Sequence, residues 1–336
     1  MSMLQEFSLW EKKIKDGIEL ANDFYAAHGS RLPKNIRKIL FVGMGGSGIA
    51  GRIFKMLLES KPGLLVTTVD SSTLPGHVDT DTLAIVTSYS GNTWETLDVL
   101  DALTAKFIPT IVMAHGGKAI EKAEVKNLPF VLLPESLTPR SSLGTTIGFL
   151  STFFEKMGIA STGQWALDWI DVVKKYAPAF AESRYFEDFL NFAQGADFFY
   201  VLGVTGDSAA AAYRAATQFH ENSKIPAAYA EYPEMAHNLL VGLGMVQNPP
   251  RVLVLHTDFL APRVQAGIRV MSDILKEKRV ALYKPPVLGD NFEQQLFAIV
   301  LWADFASYHL ATARGVDIVR VAVIEDLKRR QQINRI

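Results

Sequence analysis

The 336-residue chain contains no cysteine. That absence excludes disulfide staples, cysteine-ligated zinc and a thiolate nucleophile together. An excess of charge is missing too: 34 Lys and Arg stand against 35 Asp and Glu, a formal net charge of −1, with no long basic block. The long-range field that draws a protein to a polyanion is therefore absent, and no nucleic-acid partner is expected. The N-terminus (MSMLQEFSLWEKK) lacks a positively charged start followed by an apolar core, and the most apolar late segment, residues 295–310, is interrupted by Asp304. Neither pattern suits a signal sequence or a membrane span, so a cytoplasmic protein with no membrane partner is expected. The seven histidines, His28, His77, His115, His220, His237, His256 and His309, form no H-x-H or H-E-x-x-H pair. No metal is expected.

What the chain does have is alternation. Its 49% hydrophobic and 21% charged residues allow a sizeable core, and its length suits two domains. An amphipathic helix from Leu4 to about Ala27, carrying Phe7, Trp10, Ile14 and Ile18, opens the chain. Apolar runs at 39–42, 64–69, 83–87, 110–113 and 130–133 then alternate with helical patterns at 49–59, 94–106 and 118–125. This rhythm predicts a parallel sheet with helices on both faces. A helix-rich stretch over 145–193 follows, after which the layout restarts. "ADFFYVLGVTGDSAAAAYRAATQF" repeats the strand, glycine turn and helix of "KILFVGMGGSGIAGRIFKML", and "RVLVLHTDFLAPRVQAGIRVMSDIL" parallels "TLAIVTSYSGNTWETLDVLDAL". We expect an α/β fold of two doubly wound parallel-sheet subdomains, residues 1–155 and 156–336. The second lacks the hydroxyl-rich loop of the first, so the halves should be alike in fold and unequal in chemistry.

Gly43, Gly45 and Gly48 satisfy G-x-G-x-x-G between a strand and a helix, where backbone amides can approach a phosphate. Asp70, ending the next apolar run, stands at a spacing that suits a dinucleotide. The loop "TSYSGNTWET" adds the hydroxyls of Ser88, Ser90, Thr93 and Thr96 around Gly91, at the carboxyl end of the third strand. Asn92, with Glu95 three residues on, predicts an N-cap and capping box for the following helix. Neutral donors at two helix starts suit a dianionic phosphate monoester.

"MGGSGIAG" followed by "SYSGNTWET" resembles the sugar isomerase (SIS) domain, a doubly wound module that binds phosphosugars. Two such modules, with "PRSSLG", "ENSKIPA…EYPEMAHN" and "LWADFASYHLATARGVD…IEDLKRR" in order, resemble the bifunctional phosphoglucose/phosphomannose isomerase family over most of the chain. The resemblance implies an aldose–ketose isomerase that interconverts glucose 6-phosphate with fructose 6-phosphate through an enediolate, using no cofactor. It implies Glu221 as the base, His237 as a ring-opening group donated by the neighbouring subunit of a homodimer, Lys328 as its helper, and Arg140 beside the developing enediolate. His220 is expected to support Glu221. Phosphate binding would fall to Gly45, Gly46, Ser47, Ser88, Ser90 and Thr93. Asp70 would then order a loop. The chain departs from the family where tails commonly read GVDPTPV: it reads GVDIVRV, with no Ser or Thr after Thr312, and Leu239 replaces an acidic residue after H-N. The family's tail hydroxyl is linked to mannose 6-phosphate, which leaves that second aldose open. A non-catalytic phosphosugar-binding protein, an isomerase of another phosphosugar and an NAD-linked enzyme are the rival readings.

Overall fold

In the computed structural model, which describes residues 2–246 and 248–333, Ser2 and Gln5 form a capping box that starts helix α1 (Met3–Ser8). The Leu9 amide turns back to the Glu6 carbonyl at 3.2 Å, and α2 (Trp10–His28) begins afresh. The single helix expected over 4–27 is thus two, because the tightened turn at Leu9 carries Glu6 and Phe7 inward, where both are buried.

Strands β1 (Lys38–Val42), β2 (Leu65–Val69), β3 (Thr82–Thr87), β4 (Thr110–Ala114) and β5 (Phe130–Leu132) form one parallel sheet in the order β2-β1-β3-β4-β5. Helices α3 (Ile49–Leu58), α4 (Trp94–Ala105) and α5 (Gly117–Val125) make the crossovers. Every residue of β3 and β4 is buried, as strands covered on both faces require. Val42 on β1 pairs in register with Val86 on β3. The glycine turn after β1 and the hydroxyl loop after β3 therefore leave the sheet side by side.

Helices α6 (Leu143–Lys156), α7 (Gly163–Phe180) and α8 (Glu187–Ala193) lead into the second sheet. It comprises β6 (Phe199–Val204), β7 (Ala227–Tyr232), β8 (Arg251–Val254) and β9 (Leu282–Tyr283), parallel in the order β7-β6-β8-β9. This order reproduces the first four positions of the first sheet, which accounts for the repeated sequence layout. Helices α9 (Ala209–Glu221), α10 (Leu239–Met245) and α11 (Pro262–Glu277) accompany these strands, and α12 (Phe292–Arg314) and α13 (Ala322–Ile333) follow.

One apolar cluster spans both halves, and each half adds a smaller cluster of its own. Glycines bring α2 against α6: a Cβ on Gly17 would lie 2.2 Å from the Thr145 carbonyl oxygen, and one on Gly148 2.2 Å from that of Ile14. Helix α12 is long and apolar enough to cross a membrane, yet 83% of its apolar window is buried within the fold. At its middle Asp304 is fully buried and bonded to Arg214 of α9, so the charge that interrupts the apolar run ties two helices together.

Candidate active site

The glycine turn folds as a short 3-10 segment, Gly45–Gly48, ending where α3 begins. Gly45 takes φ +50°, a left-handed conformation that glycine adopts without a Cβ penalty. Ser47 Oγ accepts the Tyr89 amide at 3.1 Å, joining this turn to the hydroxyl loop. In that loop Ser88 Oγ donates to Thr93 Oγ1 at 3.2 Å, and Ser90 Oγ accepts the Asn92 amide at 3.3 Å. Gly45, Gly46, Ser47, Ser88, Ser90 and Thr93 thus occupy two neighbouring turns at the carboxyl ends of β1 and β3, where parallel sheets collect ligands.

The expected capping box is absent. Thr93, not Asn92, is the N-cap of α4, and its side chain makes no capping hydrogen bond. Gly91, at φ +66°, packs so closely on Gly116 that a Cβ would stand 1.7 Å from the Gly116 oxygen. That contact carries Asn92 to the start of α5, where its Oδ1 accepts the Lys118 amide at 3.2 Å. Thr96, 1% exposed, keeps a hydroxyl with no hydrogen-bond partner at the first turn of α4. Asp70 pairs with Arg52, whose guanidinium lies 4.1 Å from the centroid of the Tyr213 ring. It therefore ties α3 toward the second module.

Arg140 joins the turns to the chemistry. It sits in the 3-10 segment Pro139–Ser142, and Gly46 lies so near that a Cβ there would be 2.9 Å from the Arg140 Cα. Only 3% exposed, Arg140 directs Nη1 to Glu221 Oε2 at 3.1 Å, Nε to Asn222 Oδ1 at 2.8 Å and Nη2 to the Ile318 carbonyl at 2.6 Å. Burial draws its pKa below the ordinary value, Glu221 opposes the shift, and the Arg214 charge adds to it. Guanidinium basicity is high enough that the group stays cationic. Glu221 ends α9 with 26% of its side chain exposed. Lys224, at φ +54°, folds back so that Nζ donates to the Glu221 carbonyl. Burial and then the Arg140 charge lower its pKa from the ordinary lysine value.

A cavity of about 700 Å³ opens beside Glu221, walled by His220, Lys224, Asp317, Arg320 and the apolar residues that lead into α13. Among the described residues no hydroxyl side chain lines it. His220 Nε2 lies 2.8 Å from the Ala227 oxygen. Asp317 accepts the amides of Val319 and Arg320 at 2.9 and 3.0 Å, which hold its carboxyl below the usual range and shape the GVDIVRV tail. Two expected residues stand apart. His237 is exposed at the end of the 3-10 segment Glu234–His237, and Lys328 is exposed on α13; neither lines this cavity.

The second module closes its equivalent crevice with its own carboxylate. Asp207 Oδ2 accepts the Thr257 amide at 3.0 Å, linking the turns after β6 and β8 as Ser47 and Tyr89 link those after β1 and β3. The Asp207 carboxyl group takes the Thr257 amide and hydroxyl, donors that a phosphate there would need. Asn222 and Arg214, both buried behind Arg140, went unread in the sequence. The signal was Asp304, a charge within an apolar helix that demanded a buried partner. Among the described residues no group of three or more His, Cys, Asp or Glu is placed to hold a metal ion.

Two family models match the chain: the SIS domain over residues 34–125 and the bacterial phospho-glucose isomerase C-terminal SIS domain over residues 191–330. A bifunctional phosphoglucose/phosphomannose isomerase of Thermoplasma acidophilum is 30% identical over 331 residues, covering 98% of each chain. One from Caldicellulosiruptor bescii is 28% identical and covers 88% of this chain and 89% of its own. The solved structure of tagatose-6-phosphate ketose/aldose isomerase from Escherichia coli superposes with a TM-score of 0.68 at 16% identity, covering 94% of this chain and 93% of that one, a likeness of fold. Tandem parallel sheets, the paired turns and near full-length identity at this level converge: the chain belongs to the bifunctional phosphoglucose/phosphomannose isomerase family.

Proposed function

We propose that the protein interconverts glucose 6-phosphate and fructose 6-phosphate through an enediolate, acting in cytoplasmic carbohydrate metabolism as a homodimer without a cofactor. The division of labour follows the two modules, with residues 1–155 holding the phosphate and 156–336 supplying most of the reacting groups. The observation that carries the reading is the contact sequence from Gly46 to Arg140 to Glu221, which sets a fixed cation and a carboxylate next to the phosphate turns.

In this reading Gly45, Gly46, Ser47, Ser88, Ser90 and Thr93 grip the phosphate with neutral donors, and that remote binding orients the sugar carbons. His237 of a second subunit and Lys328 move protons at O5 and O1 as the ring opens. Glu221 then takes the C2 proton of the open aldose and returns it to C1. Arg140 stabilises the oxygen on which negative charge develops, an effect strengthened by its burial. Mannose 6-phosphate differs only at C2 and would form the same enediolate. The hydroxyl-free cavity wall supports a slower reaction with it.

The test is to incubate purified protein with fructose 6-phosphate and follow both aldose phosphates by NMR, alongside thermal-shift titrations with the three sugar phosphates and NAD. Glucose 6-phosphate should appear first. Stabilisation by phosphosugars without turnover would leave a binding protein, and stabilisation by NAD alone would overturn the phosphosugar site.

A further inference from the structure

Behind Arg140 runs a closed ring of buried polar contacts. Asn222 accepts Arg140 Nε through Oδ1 and donates through Nδ2 to Ser307 Oγ at 2.9 Å; Ser307 Oγ in turn donates to the Asp304 carbonyl at 2.8 Å. The Asp304 carboxylate takes Arg214 Nε and Nη2, both at 3.0 Å, and Gln218 Nε2 at 2.7 Å. Arg214 Nη2 then reaches the Arg140 carbonyl at 3.0 Å and closes the ring. Asn222, Ser307, Asp304 and Arg214 are each at most 1% exposed, so none is within reach of solvent.

The ring grips Arg140 at both ends. Arg214 fixes the backbone carbonyl, and Asn222 fixes Nε. A guanidinium is planar, so fixing Nε together with the Nη2 bond to Ile318 sets the plane in which Nη1 meets Glu221. Without the amide oxygen of Asn222 the group could pivot about its last carbon and leave the Glu221 carboxylate.

We propose that Asn222, braced by Ser307, is a positioning residue that holds the Arg140 guanidinium in its reactive orientation. It acts through Arg140 rather than on the sugar. The inference rests on the isomerase reading and adds to it a residue whose side chain lies outside the Glu221 cavity wall. A positioning group of this kind serves the transition state more than the bound sugar, so its loss lowers kcat and spares KM.

The experiment compares wild type, Asn222→Ala and Ser307→Ala in steady-state assays with fructose 6-phosphate, with circular dichroism and thermal melting to count folded protein. For folded Asn222→Ala we expect kcat to fall by about 10²-fold, the penalty typical of a misplaced group, with KM within about threefold of wild type. Ser307→Ala leaves Asn222 in place and should lose about three- to tenfold in kcat, by the same reasoning. An unchanged kcat in folded Asn222→Ala overturns the proposal. Where that variant does not fold, an unchanged kcat in Ser307→Ala overturns it instead. A rise in KM alone also overturns it, since that marks a substrate contact. A wild type without isomerase activity overturns the isomerase reading and this one together, whereas an active wild type with indifferent variants overturns this one alone.

Discussion

Arg140 Nη1 donates to Glu221 Oε2 at 3.1 Å across 81 residues of sequence, from a loop of the first module to the end of a helix in the second. Neither module alone holds both charges. The pair therefore exists only when the modules are docked, and the shared apolar cluster keeps them so.

The route from phosphate turn to this pair passes through Gly46. Gly46→Ala would drive a Cβ to 2.9 Å from the Arg140 Cα, so the 3-10 segment carrying Arg140 must shift. Its kcat should fall by about 10²-fold. Ser90→Ala removes the proposed donor to the phosphate along with the long 3.3 Å contact from the Asn92 amide, and should raise KM about tenfold with kcat nearly kept, as loss of a hydrogen bond to a charged group does. Equal effects of the two on kcat, measured with fructose 6-phosphate, would contradict this separation.

Arg214 and Asp304 allow stability to be parted from function. Burial raises the Asp304 pKa, and the Arg214 charge and hydrogen bonds act against that rise. Arg214→Met leaves the carboxylate buried and unpaired and should cost about 3–5 kcal/mol in urea unfolding. The double variant Arg214→Met with Asp304→Leu should recover most of that stability, while kcat stays low because the Arg140 carbonyl remains unheld. Full recovery of kcat in the double variant would refute the role given to this contact.

The sequence made the two parallel-sheet halves and the two turns of the first legible, because apolar periodicity and glycine placement are local signals; Arg140 was named by the family resemblance alone. What it concealed is non-local. Asn92 looked like a helix cap because spacing along the chain cannot show that Gly91 packs on Gly116 and draws the side chain to another helix. Asn222 is one residue beyond the assigned base, and its place under Arg140 depends on α12 arriving 85 residues later with Ser307. His237 and Lys328 do not line the Glu221 cavity, and the role proposed for His237 calls on a second subunit.

The proposed homodimer with shared sites predicts complementation. His237→Ala and Glu221→Gln should each be inactive alone. If His237 serves the neighbour's site, mixing equal amounts after dissociation and reassociation should restore about a quarter of wild-type activity through hybrid dimers. No recovery in verified hybrids would place His237 at its own subunit's site or at none.

Acid stability follows from two histidines, one buried and one half-buried. His309 is 5% exposed, donates through Nε2 to the Phe180 carbonyl at 2.8 Å, and is lowered by burial from its ordinary value of 6.5; His256 is lowered for the same cause. The unfolded chain then takes up protons that the folded chain resists. Their contribution is whole above pH 6.5 and is lost as pH falls toward the folded values. Melting temperature should therefore drop between about pH 6.5 and 5.5, before most carboxylates titrate. His309→Gln, which keeps a donor for Phe180, should flatten part of the slope; a wild-type melting temperature flat over this window would contradict the account.

The direct test of the central claim is Glu221→Gln, which keeps the shape and removes the base. Wild type should convert fructose 6-phosphate to glucose 6-phosphate, while the variant binds the same sugar in calorimetry yet turns it over about 10²–10⁴-fold more slowly. Undiminished turnover by the variant would show that the proton between C1 and C2 is carried by another group.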